Sequence, residues 1–369
     1  MIYVVIMAGG NGTRLWPEST PEKPKPFLTF QGDTPLIRAT YDRLFGLVDP
    51  SRIIIVAGKS MLPLVQQTFS DIRIENVLLE PVSRNTAPCI GLTAISLLRN
   101  DPDATMIVLP ADHLIEPVRL FRDTLRFAAE LVEESPEQLV LLGVRPNFPS
   151  TAFGYIECGE KWDPSTARKW ANLTSVRQVL RFHEKPDILT VENFAASGNF
   201  RWNTGIFVWK AGRILDLICK YQPKMGAHLQ KIAEYISEAN FPEILEKEFH
   251  AIDRFSIDYA VLEHEGRSGN IRCIDAPFQW NDIGSWSALR EINRDKIDEY
   301  GNLQSCCKMM TIDSSNNIVR CDDERQVIAL VGVENLIVIQ TVNGTLIANK
   351  NDESKIREIV ARLHENGDI

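Results

Sequence analysis

The chain has 369 residues, of which 44% are hydrophobic and 24% charged, an ordinary make-up for a globular protein and enough to build one large domain and one small one. Forty Lys and Arg against 49 Asp and Glu give a formal net charge of −9, which argues against non-specific nucleic-acid binding and requires any phosphate affinity to be local. Seven scattered cysteines without C-x-x-C spacing read as free thiols of a reducing compartment, and Cys306-Cys307 as strand residues rather than a redox pair. No apolar run approaches the ~20 residues of a membrane span. The chain opens directly in a strand rather than in a signal peptide, so a cytoplasmic location is expected.

The first run, Ile2-Tyr3-Val4-Val5-Ile6-Met7, is apolar and β-branched, the pattern of a buried strand. It empties into Ala8-Gly9-Gly10-Asn11-Gly12-Thr13-Arg14-Leu15-Trp16-Pro17. Glycines at this density let backbone N–H groups approach a ligand with no Cβ in the way, and such a row suits phosphate. Arg14 follows at once, and Lys25 stands within Pro24-Lys25-Pro26-Phe27. The Walker loop is absent, and the dinucleotide fingerprint would need glycine at Leu15.

Helices are expected over 35–46, 59–69, 85–98 and 117–133. Strands are expected over 52–57, ending near Leu79, over 105–109 and over 138–143. Such alternation implies a parallel sheet with right-handed crossovers, with ligands beyond the carboxyl ends of its strands. The cradle, the stretch from Glu80 to Thr86 and Pro110-Ala111-Asp112-His113 all fall at such ends. Asp112 can hold a hard cation there or cap the next helix. From 150 to 290 strands are shorter and connections longer. Past Arg290, short strands at similar intervals (308–312, 317–319, 327–331, 336–339, 344–348) suggest a β-helix or small β-domain closed by a helix over 353–364.

The string Gly9-Gly10-x-Gly12-Thr13-Arg14-Leu15-x-Pro17 with Pro24-Lys25-x-Phe27 resembles the signature of the sugar-1-phosphate nucleotidyltransferases. Trp16, Glu80-Pro81-x-x-Arg84-Asn85-Thr86 and Phe255-Ser256-Ile257-Asp258-Tyr259-Ala260 resemble the mannose-1-phosphate guanylyltransferase branch. The family often has Gln at Pro26, Tyr at Phe153 and Val at His183. His183 is read as outward-facing and not catalytic. Further along, Phe153-Gly154-Tyr155, Glu184-Lys185-Pro186, Trp202-Asn203-Thr204-Gly205 and Trp280-Asn281-Asp282-Ile283-Gly284-Ser285-Trp286 resemble its remaining motifs. The two tryptophans of the last are expected to pack their loop.

The resemblance implies a Rossmann-like, GT-A-like α/β fold with a mixed, mostly parallel sheet over 1–290 and a small β-helix-like domain over 291–369. It implies that GTP and mannose 1-phosphate give GDP-mannose and pyrophosphate, with Mg²⁺ on Asp112 and Asp282. Arg14 and Lys25 would hold the triphosphate, and Lys185 the incoming phosphate. Ala8, Gly9, Gly10, Gly12, Thr13, Glu80, Asn85 and Thr86 would bind nucleotide, and Gly154, Glu184, Asn203 and Gly205 the sugar. Asn85 has a helix cap as its lesser alternative, and Asp258 reads equally as a cap or brace and as a ligand. The partners would be these small molecules, not nucleic acid or membrane, with a homodimer open. The isomerase module of longer relatives is expected to be absent. A thymidylyl- or uridylyl-transferase for glucose 1-phosphate also fits the fold. A non-catalytic nucleotide-sugar-binding subunit would be free to lose Lys25, Lys185 or an aspartate, and all are present.

Overall fold

The computed structural model describes residues 1–10, 12–30, 32–305 and 308–367, so the reading of Cys306-Cys307 lies outside the described residues. Among the described residues eleven strands precede residue 290: β1 (Ile2–Ala8), β2 (Ile53–Gly58), β3 (Val77–Glu80), β4 (Thr105–Pro110), β5 (Leu114–Glu116), β6 (Leu139–Val144), β7 (Tyr155–Lys161), β8 (Val176–His183), β9 (Phe200–Lys210), β10 (Ile271–Asp275) and β11 (Gln279–Asn281). Six follow: β12 (Leu303–Ser305), β13 (Lys308–Ile312), β14 (Ile318–Cys321), β15 (Val327–Val331), β16 (Leu336–Thr341) and β17 (Gly344–Asn349).

Nine strands form one sheet in the order β3-β2-β1-β4-β9-β6-β10-β8-β7. β1, β2, β3 and β4 pair in parallel, as expected of strands joined through helices. β9 then enters antiparallel between β4 and β6, and β7 and β8 pair antiparallel. The parallel half follows from βα alternation. The antiparallel half is set by the register of an 11-residue strand whose partners are far away in sequence. Buried Val, Ile, Leu and Phe from this sheet and from the helices Thr86–Leu98 and Ala211–Tyr221 make the main core. Two helices start and stop close to expectation: Thr86–Leu98 is capped by Asn85, and Val118–Glu134 follows Pro117.

The chain divides into two compact units that do not follow a cut at 290. One comprises Met1–Gly9, Ile37–Ala111 and Ile115–Trp280; the other comprises Gly10–Leu36, Asp112–Leu114 and everything from Asn281 onward. The glycine loop therefore belongs with the C-terminal strands. In that second unit β12-β14-β16-β17 form one sheet and β13-β15 another. The parallel pairs β12–β14, β14–β16 and β13–β15 give it β-helix character. Its core joins Leu15, Trp16, Leu28 and Phe30 of the loop region to Trp286, Ile337 and Ile356. The closing helix is Ile356–Asn366, anchored by buried Ile356 and Val360 one turn apart. No helix among the described residues is long and apolar enough to cross a membrane.

Candidate active site

β1 ends at buried Ala8, and Gly9 and Gly10 follow in the open. Gly12 (φ 57) caps a 3₁₀ turn, Thr13–Leu15. A Cβ on Gly12 would stand 2.6 Å from Ser19 Oγ and 2.7 Å from Lys25 Cβ, so both conformation and space require glycine here. Leu15 and Trp16 are buried in the core of the second unit, which pins the loop from behind. Lys25 begins a second 3₁₀ turn, Lys25–Phe27, with Pro26 buried beside it.

These turns wall a cavity of about 300 Å³ whose lining includes Gly12, Arg14, Lys25, Asp112, Asp282 and Arg357. Lys25, 9% exposed, places its Nζ 2.7 Å from Asp112 Oδ2 and donates to the Asp282 carbonyl. Arg14 Nη1 donates to the Gly284 carbonyl at 3.1 Å. Asp282 Oδ1 accepts from Gly284 N at 3.1 Å, and Ile283 between them holds φ 44. Burial alone would raise the Asp112 carboxyl, but Lys25 and His113, whose Nε2 is 3.9 Å away, hold it below the usual range. Burial lowers the Arg14 guanidinium, and the like charge of Arg357 lowers it further. Trp286, fully buried, donates to the Trp16 carbonyl at 3.2 Å, and Trp280 packs edge-on to Phe153; both serve packing, as expected.

In the first unit a separate polar cluster forms where β7, β8 and β9 run together. Gly143 pairs with Asn203 while Leu141 pairs with Phe207, so β9 spends four positions where β6 spends two. The bulge passes through Gly205 (φ 69) and re-aims Asn203. Asn203 is then fixed on three sides. Its N donates to the Gly154 carbonyl at 2.8 Å, its Nδ2 to Asp258 Oδ1 at 2.9 Å, and its Oδ1 accepts from Gly205 N at 3.1 Å. A Cβ on Gly154 would lie 2.7 Å from Glu184 Oε2, so the glycine leaves room for that carboxylate. Glu184 Oε1 is 2.9 Å from Lys185 Nζ, and Lys185 sits at φ 45, a conformation costly for a side-chain-bearing residue. Asp258 opens a π-helical turn, Asp258–Leu262. Burial, then the charge of Glu184, pushes its carboxyl up to about 7.

β3 ends at Glu80, 6% exposed, whose Oε1 is buried without a hydrogen-bond partner among the described residues and whose carboxyl is raised by burial to about 7. Asn85 (φ 73) uses its side-chain oxygen to accept from Thr86 N at 2.8 Å. Thr86 Oγ1 accepts from Ile257 N at 2.8 Å.

Arg14, Lys25, Asp112 and Asp282 thus meet on one cavity, and Gly154, Glu184, Lys185, Asn203 and Gly205 meet in one cluster. Asp258 braces Asn203. His183 does not face outward: it is half-buried against the rings of Phe194 and Phe200, 3.7 Å from Glu157, because the helix Ile188–Ser197 covers this strand end. Arg357 was not legible. It occupies an exposed position of an amphipathic helix, where one more arginine carries no signal.

Residues 3–299 match the family described as nucleotidyl transferase, and residues 308–363 the MannoseP isomerase/GMP-like beta-helix domain. The mannose-1-phosphate guanylyltransferase of Escherichia coli (strain K12) is 34% identical over 99% of this chain and 74% of its own length. The alginate biosynthesis protein AlgA of Pseudomonas syringae is 33% identical over 98% of this chain and 72% of its own. A crystal structure described as mannose-1-phosphate geranyltransferase from Thermus thermophilus superposes with a TM-score of 0.83 at 30% identity, covering 98% of this chain and 99% of that one. The fold and the charged cavity define an enzyme of nucleotidyl transfer. The chain belongs to the nucleotidyl transferase family, and its relatives place it among members that carry the mannose-type β-helix domain.

Proposed function

We propose that the chain transfers a guanylyl group from GTP to mannose 1-phosphate, releasing pyrophosphate. The observation that carries this reading is the cavity, where Arg14, Lys25, Asp112 and Asp282 gather beside a glycine loop. Such a lining supplies charge of both signs. The sugar-phosphate oxygen is already anionic near neutrality. It attacks the α-phosphorus in line, and the bond from that phosphorus to the β-phosphate's bridging oxygen breaks. Pyrophosphate leaves with the electron pair, and no proton must move. Repulsion is the obstacle, since two unit charges ~4 Å apart repel by about 4 kcal/mol at an effective dielectric of 20. Positioning and charge neutralisation are therefore the chemistry required of the protein.

In this reading the backbone from Ala8 through Gly9, Gly10 and Gly12 to Thr13 cradles the triphosphate, with Arg14 and Lys25 as its cations. Glu80 accepts from the guanine N1–H and N2–H, which draw its part-protonated carboxyl to the anion. Asn85 and Thr86 shape the turn behind it. Gly154, Glu184, Asn203 and Gly205 read the sugar hydroxyls, and Lys185 neutralises the incoming phosphate. The donor set fits Mg²⁺: two oxygen-bearing carboxylates, Asp112 and Asp282, share the cavity. Mg²⁺ takes few protein carboxylates and completes its shell with water and phosphate oxygens. Asp112 and Asp282 would hold it, and when bound it would supply further neutralisation at the α-phosphate.

The described cysteines, Cys89, Cys158, Cys219, Cys273 and Cys321, are free thiols, which supports a reducing, cytoplasmic setting. A homodimer is supported by an exposed apolar strip in which Ile312 pairs with Val331 beside Met310 and Val327.

The test is pyrophosphate release across a nucleotide panel. GTP with mannose 1-phosphate should exceed dTTP or UTP with glucose 1-phosphate by at least tenfold, since one lost buried hydrogen bond costs about 1–3 kcal/mol. Equal rates with dTTP would overturn the guanine assignment.

A further inference from the structure

The cavity holds a charge that the proposed reaction has not used. Arg357 lines it beside Arg14, Lys25, Asp112 and Asp282. It comes from the closing helix Ile356–Asn366, which no loop motif announces. Its neighbour Ile356 is 2% exposed and Val360 3%, both in the cluster that contains Leu15 and Trp16. The apolar face of the helix and the back of the glycine loop therefore share one core, and Arg357 is carried to the cavity by that shared packing.

Its surroundings are unusual for a structural arginine. Among the described residues the Arg357 guanidinium has no ion pair or hydrogen bond, whereas Arg362 on the same helix pairs with Glu358. Lys25 is engaged by Asp112, and Arg14 by the Gly284 carbonyl. The cavity thus holds three cations against two carboxylates. Arg14 and Arg357 line the same cavity with like charge. Two guanidinium groups held at one cavity raise the energy of the folded chain until an anion enters between them. An Arg fork matches phosphate oxygens in pairs, as a lysine point charge does not.

We propose that Arg357 is a third phosphate-binding cation of this cavity, supplied by the C-terminal helix, and that with Arg14 it holds the pyrophosphate end of the bound triphosphate. Arg357 stands on the exposed rim while Lys25, Asp112 and Asp282 lie deeper. The rim suits the distal phosphates, and the deeper groups suit the α-phosphate. The C-terminal domain is then part of the nucleotide site, and its closing helix contacts the product that leaves. The inference rests on the reading of the cavity as a triphosphate site.

The experiment compares wild type with Arg357→Gln and Arg357→Lys. It measures pyrophosphate binding by calorimetry and the KM values for GTP, for mannose 1-phosphate and for pyrophosphate in the reverse reaction. Arg357→Gln should weaken pyrophosphate binding and raise the KM for GTP and for pyrophosphate at least tenfold, with the KM for mannose 1-phosphate within twofold. Arg357→Lys should recover part of the loss. In ligand-free buffer the Gln variant should melt no earlier than wild type, because a repulsion has been removed. Arg362→Gln, on the same helix, should behave as wild type. Unchanged pyrophosphate affinity in a normally active Arg357→Gln enzyme would overturn the assignment of Arg357 alone. A wild type that neither binds pyrophosphate nor releases it from GTP would instead overturn the triphosphate reading of the cavity.

Discussion

The cavity around Lys25 and the cluster around Asn203 hold their polar groups in opposite ways. The cavity has cations in surplus: Arg14, Lys25 and Arg357 against Asp112 and Asp282. The cluster has acceptors in surplus. Glu184 pairs with Lys185, while Asp258 has no ion pair among the described residues and is raised to about 7 by burial and by its neighbour Glu184. A surplus of cations is relieved by a polyanion. A surplus of carboxyl oxygens, spaced by a glycine and an amide, is relieved by hydroxyl donors. The two constructions differ too. The cluster is fixed by strand register and a bulge. The cavity is fixed by a hydrophobic core joining the loop after β1 to the closing helix. Charge surplus tells more about the ligand than any single residue does, because no local partner accounts for it.

The largest expected effect comes from breaking the charge pattern of the cavity. Asp112→Asn and Asp282→Asn should each lower turnover at least tenfold, on the order of 1.4 kcal/mol or more, and both should raise the Mg²⁺ concentration needed for half-maximal pyrophosphate release. Their stabilities should separate. Asp112 is paired with poorly exposed Lys25, so Asp112→Asn strands a charge and should cost about 1–3 kcal/mol of folding stability. Among the described residues the Asp282 side chain accepts only from Gly284 N, so Asp282→Asn should melt close to wild type. Equal melting temperatures would show that the Lys25–Asp112 pair carries no stability.

A smaller effect is expected on the other side. Lys185→Ala should raise the KM for mannose 1-phosphate several-fold and slow turnover, while the KM for GTP moves less than twofold. The motive is the placement of Lys185 in the acceptor-rich cluster, with Glu184 as its ion-pair partner. Collapse of GTP affinity with normal dependence on the sugar phosphate would transfer Lys185 to the nucleotide side.

The legible parts were those in which local chemistry leaves few choices. Three glycines before Arg14 specify a loop where a Cβ cannot fit, as Gly12 shows. Asn85 allows a helix cap besides the nucleotide contact, and its side chain caps Thr86–Leu98. The βα alternation over the first 110 residues specifies parallel strands, and β1 to β4 pair so. The illegible parts depend on distant partners. β9 enters antiparallel because of its partners in β4 and β6, which its own pattern does not name. The grouping of 10–36 with the C-terminal strands arises from Leu15, Trp16 and Phe30 packing on Trp286 and Ile356, a contact among ordinary hydrophobic residues. His183 looked like a surface residue of a strand end because Phe194, which covers it, lies on a separate helix. Arg357 was hidden for the same reason.

The central claim is attack on the α-phosphorus, and labelled GTP tests it most directly. With mannose 1-phosphate and Mg²⁺, label in the α-phosphate should appear in the sugar nucleotide, and label in the γ-phosphate should appear wholly in pyrophosphate. Recovery of the γ-label as free phosphate or on the sugar would mean cleavage at another phosphorus, and would contradict the account.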